Sequence, residues 1–117
     1  MNKVKDAAYI IDFDRKIIDV NKAAFKRLGY SKEELVGMDV DDIDAELDPP
    51  KIREYTKIVR DTGEQIFQTT HKTRSGGKFP VEVHSNLIEY EDRKAILNIA
   101  REISNRKETQ KRFEKLF

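Results

Sequence analysis

The segment from Asp12 to Met38 limits the possible folds more than any other part of the chain, because turn and capping signals follow one another there almost without spacing. The apolar run Tyr9–Phe13 ends at a polar turn, residues 14–16, and the β-branched run Ile17–Val20 follows it. Two such runs joined by a short polar turn predict a β-hairpin.

Two short helices are predicted directly after this hairpin. The first has Asn21 at its N-cap and Gly29 at the C′ position that ends it. The second begins at Ser31, which can form a capping box with Glu34 three residues later, and it ends at Gly37. Their apolar residues are the buried face Ala24, Phe25 and Leu28 and the hydrophobic staple Tyr30 and Leu35.

An acidic stretch, Asp39–Asp48, connects these helices to the next one. Its apolar residues Val40, Ile43 and Leu47 are spaced for one or two loose helical turns. A calcium loop of the EF-hand type needs glycine at its sixth position, where this stretch has Asp44. We therefore predict a solvated acidic connector and no metal site.

The longest helix inside the domain is predicted over Lys51–Thr62. Asp48 is a suitable N-cap, Pro49 and Pro50 fit the first helical turn, and Gly63 ends the helix. Its apolar face consists of Ile52, Tyr55, Ile58 and Val59.

Three strands are predicted next: Ile66–Thr73, Phe79–Tyr90 and Lys94–Ile103. Apolar and polar residues alternate along the middle strand, which predicts one buried and one wet face. The last strand is apolar on both faces, and we expect the face with Ile96 and Ala100 to point outward and to form a dimer surface.

The predicted fold class is α+β, with the element order β-β-α-α-α-β-β-β-α. We expect a five-stranded antiparallel sheet with the helices on one face. Residues 1–103 would form the domain. Residues 104–117 would form a C-terminal linker or output helix, capped by Ser104.

Composition excludes several classes of protein. Charged residues make up 38% of the chain, but the net charge is only +1, which argues against a nucleic-acid partner. The absence of cysteine excludes disulfides and thiolate chemistry. No apolar run approaches the roughly 20 residues of a membrane span, and no signal peptide is visible. These features predict a cytoplasmic domain without direct membrane insertion, whose parent protein can still be membrane-bound.

Several spaced motifs carry a resemblance to a known family. The pattern Asp-x-x-Gly-x-Ile, Asn-x-Ala, Leu-Gly-Tyr-Ser-x-Glu-Glu-Leu-x-Gly is matched by Asp12, Ile17, Asn21, Ala23, Leu28, Gly29, Tyr30, Ser31, Glu33, Glu34, Leu35 and Gly37, with Arg15 or Lys16 in place of the turn glycine. The later strand pattern is matched by Arg74, Gly76 or Gly77, Phe79, Pro80, Val81, Glu82 and Val83, and the closing pattern by Arg101, Glu102, Ile103 and Ser104. From about Ala7 to Ser104, the chain resembles a PAS domain.

The resemblance implies a regulatory module and not an enzyme. PAS domains sit upstream of effectors such as the histidine kinases of two-component systems, often dimerise, and pass a signal into a C-terminal helix. We therefore expect a homodimeric sensor domain, most directly of a sensor histidine kinase, that detects a small ligand or a partner. A ligand-free dimerisation or docking scaffold and a regulatory domain of a diguanylate cyclase are the alternatives. The chain has no Gly-rich phosphate loop and no nucleophile elbow.

The cofactor stays unassigned, but the residue inventory argues against three types. Haem-binding PAS domains use a histidine on the long helix, and Lys51–Thr62 contains none. Light-sensing flavin types and the photoactive-yellow type need a cysteine. Non-covalent flavin, or a small apolar or carboxylate ligand, remains open.

His71 and His84 are the two histidines of the chain. Each is either a metal or haem ligand, a pH sensor, or an ordinary surface residue. Because His84 shares its strand face with Glu82 and Asn86, we expect two surface histidines.

A ligand pocket, if present, should form where sheet and helices converge. A filled core is the alternative, which we favour slightly. The candidate lining residues are Phe25, Leu28, Ile43, Tyr55, Ile58, Phe67 and Val83. We also expect Arg74 to pair with Glu102 and so to tie the turn before the long strand to the last strand.

Overall fold

The computed structural model describes residues 6–103. The expected output helix, which begins at Ser104, lies outside these residues. The elements are β1 (Ala7–Ile11), β2 (Ile17–Val20), α1 (Lys22–Leu28), α2 (Lys32–Leu35), a 3₁₀ turn (Val40–Ile43), α3 (Pro49–Thr62), β3 (Glu64–Lys72), β4 (Lys78–Tyr90) and β5 (Arg93–Glu102).

The strands form one antiparallel sheet in the order β2-β1-β5-β4-β3, so the last strand of the chain lies at its centre. The connection through α1, α2 and α3 carries the chain from one edge of the sheet to the other. The helices cover one face of the sheet, and the main hydrophobic core lies beneath them. This architecture confirms the predicted α+β class and the five-stranded antiparallel sheet.

The predicted N-caps of α1, α2 and α3 are confirmed. The Asn21 side chain accepts a hydrogen bond from the Ala24 N–H at 2.9 Å and another from the Ala8 N–H at 2.9 Å, so it also ties α1 to β1. Ser31 and Glu34 form the complete capping box of α2. Two prolines begin α3, and the side chain of its N-cap, Asp48, accepts from a backbone N–H.

The turn between β1 and β2 departs from the family pattern in one residue. Arg15 adopts a left-handed conformation, with φ of 69°, where the family has glycine. The Asp12 carboxylate accepts from the N–H groups of Asp14 and Lys16 at 2.9 and 3.0 Å, which holds the turn closed. The Arg15 side chain pairs with Asp41 at 3.1 Å and anchors the acidic connector to this turn. These contacts offset the backbone strain of a non-glycine residue there.

The two faces of β5 are the reverse of what the sequence predicted. Ile96 pairs with Ile11 of β1 and points into the core, as does Ala100, and the two are 1% and 0% exposed. Leu97 and Ile99 occupy the outer face and are half-buried. The prediction of an outer surface at Ile96 and Ala100 is therefore wrong. Both faces of β5 are apolar, so only its pairing with neighbouring strands decides which face meets the helices.

The expected pair of Arg74 and Glu102 is also wrong. Arg74 instead pairs with Glu34 at 2.5 Å and lies over the ring of Tyr30. Its backbone N–H donates to the carbonyl of Leu28 at 2.9 Å. The turn between β3 and β4 thus docks on the α1–α2 junction, a tertiary contact with no local sequence signal.

The hairpin turn between β4 and β5 carries backbone strain that substitution should relieve. Glu91 and Asp92 both have positive φ, 50° and 65°. We expect the double change Glu91→Asn with Asp92→Gly to raise the free energy of unfolding by about 1 kcal/mol, because Asn-Gly suits a turn with two left-handed residues. Thermal unfolding should then occur roughly 5 °C higher.

A substitution at Gly63 provides a control that should change the melting temperature in the opposite direction. It ends α3 with φ of +95°, so Gly63→Ala should lower the melting temperature. A melting temperature that stayed the same or fell after the Glu91→Asn and Asp92→Gly change would show that the turn is not strained.

Candidate functional site

A cavity lies between α3, the acidic connector and the inner face of the sheet. The centre of a water-sized sphere can occupy about 40 Å³ of this cavity. That is enough space for about three water molecules or one very small ligand. Its walls are formed by Tyr9, Ile11, Val40, Asp44, Leu47, Ile52, Tyr55, Thr56, Val59, Phe67, His71, Ser85, Ile96 and Asn98.

The helical side of the cavity is mainly apolar. Ile52 and Val59 of α3 are buried, and Tyr55 packs on Phe67 of β3 with ring centroids 4.8 Å apart. Thr56 of α3 also lies in the lining, and its hydroxyl donates to the Ile52 carbonyl at 2.8 Å. This side of the cavity would therefore contact a ligand mainly through apolar surface.

The sheet side of the cavity combines apolar residues such as Ile11 and Ile96 with a group of polar ones. Tyr9, Asn98 and Ser85 are successive cross-strand partners on β1, β5 and β4 and form one row on the inner face. All three are at most 4% exposed. Ser85 Oγ donates to Asn98 Oδ1 at 2.5 Å, while Asn98 Nδ2 has no partner within residues 6–103. A reversed Asn98 amide would leave both its oxygen and the Ser85 proton without partners, so Ser85 sets the orientation of the amide.

His71 lies on the cavity wall, and its predicted surface position is wrong. It is 4% exposed, and burial, followed by repulsion from Arg27, lowers its pKa to about 4. His71 Nε2 lies 3.5 Å from the Tyr9 hydroxyl, a long distance for a hydrogen bond. Burial also raises the pKa of Tyr9, with a smaller contribution from Asp44. His84 is exposed and contacts Glu82, as predicted.

Asp44 corrects the prediction of a wholly solvated connector. Burial raises its pKa, although its carboxylate accepts from the N–H groups of Leu47 and Glu46 and from the Thr69 hydroxyl, at 2.7 to 2.9 Å. The connector turns inward there because the backbone of Asp44 forms an isolated antiparallel β-bridge with His71 of β3, and the Ala45 N–H donates to the Thr70 carbonyl. The charge on the cavity wall is thus held by protein hydrogen bonds.

The seven predicted lining residues divide into two groups. Tyr55 and Phe67 line the cavity. The other five do not: Leu28, Ile43 and Val83 are buried in the core, Phe25 packs against it, and Ile58 is half-buried outside the lining. The polar members Tyr9, Asp44, His71, Ser85 and Asn98 were missed. Ser85 carried a signal, since it is a polar residue on the apolar face of its strand.

The fold and the cavity together define an α+β domain that encloses a partly polar site under its helices. The chain matches the family model described as PAS domain over residues 5–105. It therefore belongs to the PAS domain family and is a sensory, non-catalytic domain of the kind found in signalling proteins. None of the helices within residues 6–103 is long and apolar enough to cross a membrane.

Three known proteins are similar to this chain in sequence or in fold. The chain is 31% identical over 110 residues to the methyl sulfide methyltransferase-associated sensor of Methanosarcina acetivorans, a match that covers 93% of this chain and 11% of that protein. The chain thus spans only about a tenth of this relative's length.

Two solved structures share the fold. The PAS domain of an HTR-like protein from Haloarcula marismortui has a TM-score of 0.81 at 24% identity, covering 87% of this chain and 84% of that one. A domain of a sensory box sensor histidine kinase/response regulator from Geobacter sulfurreducens has a TM-score of 0.74 at 27% identity, covering 86% and 85%.

The buried His71 should make stability depend on pH. Its pKa is about 4 in the folded chain and 6.5 in the unfolded reference, so below pH 6.5 only the unfolded chain takes up the proton. The free energy of unfolding should fall as the pH drops from 6.5 towards 4, by up to about 3 kcal/mol. Urea unfolding between about pH 7 and pH 5 measures this slope; Asp44, whose raised pKa acts in the opposite direction, contributes mainly at lower pH.

His71→Gln should remove most of that slope, whereas His84→Gln at the exposed histidine should retain it. Equal slopes in the two variants would mean that His71 is not the group responsible.

Proposed function

We propose that this chain is the cytoplasmic sensory domain of a multidomain signalling protein, most directly a sensor histidine kinase. In this proposal, a small molecule or a partner acts at the cavity, and the change passes along β5 to the segment that follows it. Similarity to a sensor protein and to a domain of a sensor histidine kinase supports the class of parent protein.

The position of β5 is the observation on which the relay rests. Ile96 and Asn98 line the cavity, and four residues after Asn98 the strand reaches its end at Glu102. Near that end, Arg27 of α1 donates to the Ala100 carbonyl at 2.8 Å, and the Ile103 N–H donates to the Pro80 carbonyl at 3.0 Å. A shift of β5 at the cavity would therefore change contacts where the chain leaves the sheet.

A matched pair of threonines on α3 tests the relay. Thr56 lines the cavity, Thr62 is exposed, and each donates its hydroxyl to the carbonyl four residues earlier. Thr56→Leu fills the cavity from the helix without leaving a new unpaired polar group. We expect it to change amide hydrogen exchange in β5 and in residues 104–117 by roughly tenfold, as for an ordinary coupling between sites.

Thr62→Leu makes the same chemical change outside the cavity and should leave exchange in β5 unaltered. If Thr56→Leu changes exchange only within α3, the cavity is not coupled to the end of the domain.

That result would favour the second candidate function, a scaffold that dimerises or docks without binding a small molecule. The small cavity volume of about 40 Å³ is the observation that favours this alternative.

We further propose that the domain forms a homodimer through the outer face of the sheet. Leu97 and Ile99 of β5 lie half-buried on this face, and Ile66 of β3, on the same face, is 63% exposed. Ile66→Lys should weaken self-association on the order of tenfold, because it places a charge in an apolar interface.

Val36 provides the control, since it is 40% exposed and follows α2, on the helical side of the molecule. Sedimentation at high micromolar concentration measures both variants. The outer-face dimer is excluded if the unmodified chain is monomeric there, or if Val36→Lys disrupts the dimer as strongly as Ile66→Lys.

A further inference from the structure

We propose that the cavity selects a small neutral molecule that accepts hydrogen bonds, such as a ketone or an amide, over charged molecules of the same shape. This inference rests on the proposed function only in placing a ligand between the sheet and α3. It adds the chemical class of that ligand, which follows from the donors, the charge and the volume of the site.

The polar wall offers donors. Asn98 is 4% exposed and lines the cavity; its oxygen accepts from Ser85, and its Nδ2 has no partner among residues 6–103. Within the same residues, the Tyr9 hydroxyl of the neighbouring strand has only the long 3.5 Å contact with His71. A buried donor without a partner costs free energy, which an acceptor atom of a ligand would recover. Gln65 Oε1, the other buried side-chain atom without a partner in residues 6–103, does not belong to the cavity lining.

The charge distribution excludes an anion. Among residues 6–103, no lysine or arginine lines the cavity, although Arg27 acts on His71 from outside the lining, and Asp44 places a carboxylate on the wall. A bound carboxylate would therefore meet a like charge without a lysine or arginine of the lining to offset it, at a high desolvation cost.

A cationic ligand is disfavoured for a different reason. Asp44 Oδ1 already accepts from two backbone N–H groups, and the Thr69 hydroxyl lies within hydrogen-bond distance of both carboxylate oxygens. A cation would also meet the unpaired N–H of Asn98, which is a donor and not an acceptor. A neutral acceptor satisfies the donors of the wall and leaves the hydrogen bonds of Asp44 intact.

The volume sets the size of the ligand. The centre of a water-sized sphere can occupy only about 40 Å³ of the cavity, so the cavity accommodates a molecule of only a few heavy atoms. So small a ligand binds weakly, with dissociation constants expected in the millimolar range.

Three probes of nearly equal shape test the proposal: acetone, acetate and isopropylammonium. Each is titrated into the 117-residue chain while the side-chain amide signals of Asn98 and the backbone signals of β5 are followed by NMR. We expect acetone to shift these signals with saturation in the millimolar range, and the two ions to leave them unchanged at the same concentrations.

Two variants then locate the interaction. Asn98→Leu keeps the volume and removes the amide donor, and it is combined with Ser85→Ala because the Ser85 hydroxyl would otherwise become a new unpaired donor. This double variant should bind acetone roughly tenfold more weakly. Asn86→Leu makes the same asparagine change on the outer face of the sheet, as shown by its pairing with Leu97, and should leave binding unaltered. Backbone spectra of both variants report whether each remains folded.

Three outcomes would overturn the proposal: binding of acetate or isopropylammonium as strong as that of acetone, equal binding of acetone to the variant with Asn98→Leu and Ser85→Ala, or no response to any probe. None of these bears on the coupling between cavity and β5, which the Thr56→Leu experiment measures without a ligand. The ligand class and the proposed sensory function can therefore fail separately.

Discussion

The pairing of β5 with β1 on one side and β4 on the other is the constraint on which the rest of the structure depends. It joins the hairpin formed by the first two strands to the hairpin formed by the last two, across nearly the whole length of the chain. Its register decides which face of every strand meets the helices. The same register places Tyr9, Asn98 and Ser85 side by side in one row beneath α3.

This polar row has a thermodynamic consequence. It crosses a layer that contains apolar residues such as Ile96 and Val83, and it leaves one buried amide donor without a partner in the described part of the chain. Apolar side chains of similar volume in these positions would fill the core at lower cost in free energy. A core that departs from apolar packing at one place, next to a cavity, is typical of a site where binding competes with stability.

The acidic connector contributes a buried carboxylate to the site, although its composition suggested a stretch exposed to solvent. Arg15 and Lys16 hold its first part through ion pairs with Asp41 and Asp39. Asp44 alone among its carboxylates lines the cavity, where Thr69 and backbone N–H groups hold it. The connector is thereby fixed at both ends, and the cavity acquires a charge that limits which ligands it accepts.

The sequence by itself determined the elements and their class. These elements depend on signals that act over a few residues: caps such as Asn21 and Ser31, the glycines that end helices, and the alternation along β4. Such local signals can be recognised in the sequence alone. Apolar faces that must converge also placed Tyr55 and Phe67 among the seven candidate lining residues, but the same reasoning named five residues that do not line the cavity. Only the tertiary structure decided the inward face of β5, the burial of His71 and Asp44, and the partner of Arg74. These depend on strand register and on contacts between residues far apart in the chain, and a strand that is apolar on both faces, or polar along most of its length, carries no local signal of which face is buried.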